Sequence, residues 1–371
     1  MTEEIPLMDP GPQLAEIEDE VRQGWDRVLK SGRFILGDEV AAFEEEFACY
    51  CGVRYCVTVN SGSDALEFAL RAVGVAVGDR VVVPANSFFA SASAVVRAGA
   101  TPVFVDVDEQ TALADPKQVA SRVEQGARAI LPVHLYGQTW PLDELRPYLR
   151  ERDVLMVEDA AQAQGASRFG MRAGSVGQVA ATSFHVSKNL GALGDGGAVL
   201  TSSAEIASQV RSLRNHGSRE KYVHDVIGTN SRLDEIQAVV LRAKLRRLDC
   251  WNDERRRLAA RYDELLEIDG VGRPYVLPGN VPVWHLYVVR VRHRDDVLAR
   301  LRNRGVQAGV HYPIPIHLQK PFNESMSRAG QYPVSERLAG EVLSLPLFPG
   351  MSAEQQERIV AELRSSIAAF E

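Results

Sequence analysis

Val179-Ala180-Ala181-Thr182-Ser183-Phe184, then His185-Val186-Ser187-Lys188-Asn189-Leu190-Gly191 and Gly194-Asp195-Gly196-Gly197, form the stretch on which the reading of this chain turns. The apolar, partly β-branched opening predicts a buried strand, and the glycines behind it let backbone approach a ligand closely. Between them stands Lys188, one of only six lysines in 371 residues. The other five have ordinary settings. Lys30 and Lys244 are expected on charged helical faces, Lys117 in a helix opening Asp115-Pro116, and Lys221 and Lys320 in polar loops.

The same texture extends on both sides. Short apolar runs at Tyr55–Val59, Arg80–Pro84, Pro102–Val107, Ala129–Leu135, Val154–Glu158 and Ala198–Thr201 alternate with helical periodicity, such as Leu66, Ala69, Leu70 and Val73. This alternation predicts an α/β chain: a three-layer α/β/α large domain with a mostly parallel sheet, over residues 1–249. A long helical stretch, Ser231–Leu266, is expected to be broken or to bridge two domains. Beyond it the texture changes to Pro- and Gly-rich sequence, a strand-like Trp284–Val291 and a helix-like Asp295–Arg304. Residues 250–371 therefore read as a smaller C-terminal α+β domain.

Composition narrows the function classes. The chain is 45% hydrophobic and 25% charged, with 42 basic against 49 acidic residues and a formal charge of −7. No basic stripe points to nucleic acid and no polybasic or long apolar segment to a membrane. The acidic start, Met1 to Pro12, does not read as a signal peptide, so a cytoplasmic location is expected. Cys49, Cys51, Cys56 and Cys250 form no CxxC pair and the histidines no HExxH. No protein-bound metal is expected, and the cysteines are read as buried or half-buried thiols.

Ligands of parallel sheets bind beyond the carboxyl ends of the strands. Four sequence features should arrive there. Val154–Val157 leads to Glu158-Asp159, and a carboxylate at a strand end can pair with a pyridinium nitrogen or simply cap a helix. Asn60-Ser61-Gly62-Ser63-Asp64 opens a helix, a ready anion site or a plain cap. Asn86-Ser87-Phe88-Phe89 brings an aromatic ring that can stack on a ligand or fill the core. Lys188 is the fourth, and a lysine there can form a Schiff base, the covalent strategy of pyridoxal phosphate (PLP) enzymes.

These residues, with Ser31–Gly37, Gly99–Asp106 and Glu158-Asp159-Ala160-Ala161-Gln162, resemble the DegT/DnrJ/StrS-type sugar aminotransferases, PLP enzymes of the aspartate aminotransferase fold. The resemblance runs along nearly the whole chain. It implies that Lys188 binds PLP covalently, that Asp159 meets the ring nitrogen and Gln162 the ring hydroxyl, and that Phe88 stacks on the cofactor. Gly62, Ser63 and Ser183 would hold the phosphate, helped by Asn230 from the second subunit of a homodimer; read alone, Asn230 is a turn residue. L-glutamate would load the cofactor as pyridoxamine phosphate, and a nucleotide-linked keto sugar would receive the amine.

Gly228–Glu235, Asp249–Asn252, Trp284-His285-Leu286, His311-Tyr312-Pro313 and Leu343–Pro346 look most like the subgroup that aminates carbon 3 of dTDP-3-keto-6-deoxyhexoses. His311 and Tyr312 would lie near the sugar. Where that subgroup often has Tyr-Pro, this chain has His185-Val186, and His185 is expected to face the hexose. The competing readings are amination at carbon 4 of a nucleotide 4-keto sugar, a cyclitol ketone aminotransferase, and a non-catalytic PLP-binding regulatory protein. A nicotinamide enzyme would want GxGxxG after an early strand, which the chain does not offer there.

Overall fold

The alternating runs assemble into a seven-stranded sheet in a computed structural model that describes residues 4–323 and 327–370. Its strands are β1 (Tyr55–Val59), β2 (Arg80–Pro84), β3 (Thr101–Val105), β4 (Ala129–Ile130), β5 (Leu155–Asp159), β6 (Val179–Ser183) and β7 (Gly197–Thr201). They lie in the order β1-β7-β6-β5-β4-β2-β3. All pairs are parallel except those made by β7, which runs against both β1 and β6. The carboxyl ends of the other strands therefore share one edge, and β7 brings its beginning to that edge.

Side chains alternate across a strand, and here both sets are buried. Along β6, Val179 and Ala181 enter one apolar cluster with Leu66 and Phe68, while Ala180 enters another with Phe43 and Phe47. Along β7, Val199 joins the first cluster, and Ala198 and Leu200 join the second. Helices thus cover both faces, giving the three-layer α/β/α arrangement read from the sequence. A second, antiparallel sheet joins β8 (Val271–Gly272), β9 (Tyr287–Val291) and β10 (Val342–Leu345). It packs with Tyr262, Leu301 and Leu363. Ile5 belongs to this same cluster and bridges to Val306, so the start of the chain packs with its C-terminal layer.

Several expected elements differ in extent. The strand expected over Ala129–Leu135 shortens to β4, because Pro132 has no N–H to give and Leu135–Gly137 curls into a 3-10 turn. The helical stretch breaks into Glu235–Leu245 and Leu248–Leu265, with Arg246 and Arg247 at the break both paired to Glu20. Lys320, expected in a loop, opens the short helix Lys320–Asn323. Cys51 and Cys56 are buried, whereas Cys49 and Cys250 are exposed, and all four are free thiols.

Two glycines set the geometry of the shared edge. A Cβ at Gly62 would stand 2.6 Å from Ser183 Cβ, and one at Gly197 would stand 2.4 Å from the Ser61 carbonyl. Both distances are inside van der Waals contact, so the turn after β1 fits against β6 and β7 only without side chains there. Gly197→Ala should destabilise the protein by about 1–3 kcal/mol, because the opposing atoms are backbone. Gly340→Ala, at an exposed helical position with no atom within 4 Å, should instead stabilise by about 0.5–1 kcal/mol. Urea unfolding of the two variants checks the contrast; equal midpoints would show that the turn retreats freely.

Candidate active site

The strand ends converge on one open cavity of about 420 Å³. From β1 come Ser61, Gly62 and Ser63, from β2 Ser87 and Phe88, and from β5 Asp159. Ser183 ends β6, Lys188 follows it, and Asp195 precedes β7. His285, His311 and Tyr312 close the cavity from the C-terminal part of the chain. Of the residues singled out in the sequence, Lys188, Gly62, Ser63, Phe88, Asp159, Gln162, Ser183, His185, His311 and Tyr312 all line it. Asn230 does not. It is exposed and bridges to Asn215, while its neighbour Ser231 is buried and donates to Asp64 at 2.7 Å.

At the anion end, Ser61 caps the helix Gly62–Ala72 by accepting from the Asp64 N–H at 3.1 Å. The N–H groups of Gly62 and Ser63 have no intrahelical partners, and both residues line the cavity beside Ser183. At the other end, the Asp159 carboxylate accepts from Ser91 Oγ at 2.8 Å and from the Ala161 N–H at 3.2 Å. Neither partner is a cation. Burial pushes the Asp159 pKa up, opposed by those two donors and by the charge of Lys188. Burial pushes the Lys188 pKa down, with Asp159 opposing it. Among the described residues the Lys188 amine has no ion-pair or hydrogen-bond partner, so it stands ready for a ligand.

Gln162 is held from both sides: its Oε1 accepts from the Tyr136 N–H at 2.7 Å, and its Nε2 donates to Tyr312 at 3.1 Å. The Phe88 ring is exposed toward the cavity, 5.5 Å from that of Tyr312. His185 is exposed, with Nδ1 2.8 Å from Ser187 Oγ. His311 is bonded to Ser344 at 2.8 Å, and burial, then Lys188, lowers its pKa to about 4. It is therefore a neutral imidazole at physiological pH. The amine, carboxylate, aromatic ring and glycine-lined anion cradle in one cavity fit a pyridoxal-type cofactor.

Behind Asp159, Glu158 points to the opposite face of β5. It accepts from His134 at 2.8 Å and from the N–H groups of Gly174, Val176 and Gly177 at 2.8, 2.8 and 2.6 Å. His134 Nδ1 accepts from the Trp140 N–H, so its proton sits on Nε2 and is donated to Glu158. These bonds keep Glu158 below its usual pKa in spite of burial. They fix the strand that presents Asp159.

One assignment from sequence is corrected. Lys244 is 3% exposed instead of lying on a charged face, and its amine donates to the Gly191 carbonyl at 2.8 Å. Two turns earlier on the same helix, Gln237 exchanges hydrogen bonds with the backbone of Leu193 at 2.8 and 3.1 Å. That helix thus holds the loop behind Lys188. Sequence reading also passed over Ser91, although Ser87 and Ser91 are spaced one helical turn apart. Tyr136 offered no signal, because its contacts come from segments far along the chain.

The family model for DegT/DnrJ/EryC1/StrS aminotransferases matches residues 15–364, and the chain belongs to that family. It is a PLP-dependent sugar aminotransferase. The erythromycin biosynthesis sensory transduction protein EryC1 of Saccharopolyspora erythraea is 46% identical over 98% of this chain and 99% of its own. The dTDP-3-amino-3,4,6-trideoxy-alpha-D-glucose transaminase of Streptomyces venezuelae is 45% identical over 98% of this chain and 96% of its own. The crystal structure of S. venezuelae DesV in complex with a ketimine intermediate superposes with a TM-score of 0.95 at 45% identity, covering 98% of both chains.

Burial lowers the Lys244 pKa from 10.5 to about 8. Between those values the unfolded chain binds more protons than the folded one, so stability from this group rises with pH. Below about pH 8 the cost of burying the charge is fully present. Thermal melts of the native protein and Lys244→Met should show the native protein gaining on the variant from pH 8 to 10.5. A difference that stays flat across that range would show that the folded protein keeps Lys244 protonated throughout it, with no lowering of its pKa.

Proposed function

We propose that the enzyme transfers an amino group from L-glutamate to carbon 3 of a dTDP-3-keto-6-deoxyhexose, giving the dTDP-3-amino-3,6-dideoxyhexose of a deoxyaminosugar pathway in antibiotic biosynthesis. The observation that carries this reading is the half-buried Lys188 amine, without an ion-pair or hydrogen-bond partner among the described residues, in one cavity with Asp159. The product named for the S. venezuelae transaminase, an amino sugar substituted at carbon 3 and carried on dTDP, supports the substrate class.

PLP, bound there and converted to pyridoxamine phosphate by glutamate, would supply the electron sink and the amine carrier. Lys188 would hold it covalently and, once free, move a proton between substrate and cofactor carbons. Its lowered pKa favours the free amine that this task needs. Asp159 would pair with the ring nitrogen, Gln162 with the ring hydroxyl, and Phe88 would cover one face. The N–H groups of Gly62 and Ser63 with the Ser183 hydroxyl would take the phosphate dianion at the helix start. Asn230 would reach the phosphate of the other subunit in a homodimer, in keeping with its exposure here. His185, His311 and Tyr312 would face the sugar.

Among the described residues no helix is long and apolar enough to cross a membrane, and the proposal places the enzyme in the cytoplasm. The sensory name of the S. erythraea relative favours a second reading, a PLP-binding regulator without turnover.

Incubation of the protein with PLP, L-glutamate and the dTDP-3-keto sugar, with the new amine located by NMR, should place nitrogen on carbon 3. The corresponding 4-keto sugar and a UDP-linked 3-keto sugar should react poorly. Lys188→Ala should lose about 10²–10⁴-fold in turnover. A bound-cofactor absorbance unchanged by glutamate would favour the regulator, and amination of the 4-keto sugar would move the reaction to carbon 4.

A further inference from the structure

Asn189, next to Lys188, is 4% exposed, and its side chain sits where its orientation can be deduced from backbone atoms. Its Nδ2 lies 2.9 Å from the Val283 carbonyl, which can only accept, so that end of the amide is the N–H₂. The same Nδ2 donates to Asn252 Oδ1 at 2.9 Å, and Asn252 in turn donates to the Gln164 carbonyl at 3.0 Å. Two backbone carbonyls thus fix both amides. The Asn189 oxygen is left facing His285 Nδ1 at 3.2 Å.

An amide oxygen accepts and cannot donate, so His285 Nδ1 must carry a hydrogen. A second proton on Nε2 is opposed by burial and by the positive charges of Lys188 and Arg255 and the imidazoles of His311 and His185, all of which push the ring's pKa far down. His285 is therefore neutral, with a bare Nε2. No described residue donates to that nitrogen, and the ring lines the cavity that holds Lys188.

We propose that His285 Nε2 accepts a hydrogen bond from the free Lys188 amine and so turns the amine's lone pair toward the reacting carbon, with Asn189 fixing the imidazole tautomer. His285 is then a positioning residue, acting through Lys188. The inference rests on the reading of Lys188 as the cofactor-binding amine. It also gives a reason for the order Lys188-Asn189: the residue that sets the tautomer travels with the amine it serves.

The test compares His285→Leu, which removes the acceptor, with His285→Gln, which restores an acceptor oxygen on a side chain of similar reach. Capture of PLP by the apoprotein, followed by visible absorbance across pH, reports the apparent pKa of Lys188. It should fall by roughly half to one pH unit in His285→Leu, because a neutral acceptor stabilises the ammonium form. The turnover number should fall about tenfold or more, with KM for the keto sugar within about twofold. Both should return toward native values in His285→Gln.

Native pKa and turnover in His285→Leu would overturn the proposal, as would equal impairment of the two variants. Should His285→Leu fail to fold, a His285→Gln variant that melts like the native protein but has lost turnover tenfold would overturn it alone. Failure of the native protein to capture PLP would instead sink the reading of Lys188 itself.

Discussion

The site depends on a backbone contact that tolerates no side chain. Gly197 meets the Ser61 carbonyl and Gly62 meets Ser183, so the turn after β1 is pressed against the ends of β6 and β7. Those strands carry the loop of Lys188 between them. The contact brings the N-terminal end of a helix, with its unpartnered N–H groups, to the loop that carries the amine. Were the turn one side chain farther away, an anion held there could not also present its other end to both Lys188 and Asp159. The reversed direction of β7 is what allows this, since it returns Gly197 to the edge where β1 and β6 end.

Around that contact the walls are made rigid by buried polar bonds. Glu158, on the far face of β5, is saturated by a histidine and three N–H groups, and it fixes the strand that presents Asp159. The helix Glu235–Leu245 does the same for the loop. The Glu235 carboxylate accepts from the N–H groups of Gly37, Glu39 and Val40, and Gln237 and Lys244 bind the backbone behind Lys188. Lys188 is thus a flexible side chain on a stiff base.

Much of this was legible in the sequence because it depends on local pattern. Alternating apolar runs and helical periodicity gave the α/β layers. Residues that follow strands, Lys188, Asp159, Phe88 and the Ser61–Ser63 turn, could be placed on one edge from strand direction alone. What escaped depends on contacts between distant segments. Lys244 carries the neighbours of a solvated helix, Arg242, Arg246 and Arg247, and only the Gly191 carbonyl reveals that it points inward. Gln162 drew attention beside Asp159, yet Tyr136 and Tyr312, which hold it, lie 26 and 150 residues away. Ile5 packs with the C-terminal sheet for a similar reason: a single apolar residue carries no record of its partner.

The composition of the wall around Lys188 follows from what its amine must do. A buried carboxylate near a lysine favours the ammonium form and raises its pKa. Among the described residues Asp159 is the anion whose charge raises the Lys188 pKa, and a cation bound at its oxygens would offset that. Gln162, His285 and His311 also line the cavity, and the buried amides of Asn189 and Asn252 stand behind His285. Such groups satisfy one another when buried, as the bonds among Gln164, Asn252, Asn189 and His285 do, yet add no net charge. A salt bridge at the same place could give comparable rigidity, but a carboxylate in it would hold the proton on the lysine. An amine that has to be free part of the time calls for rigid support that adds no further charge, and amide networks supply it.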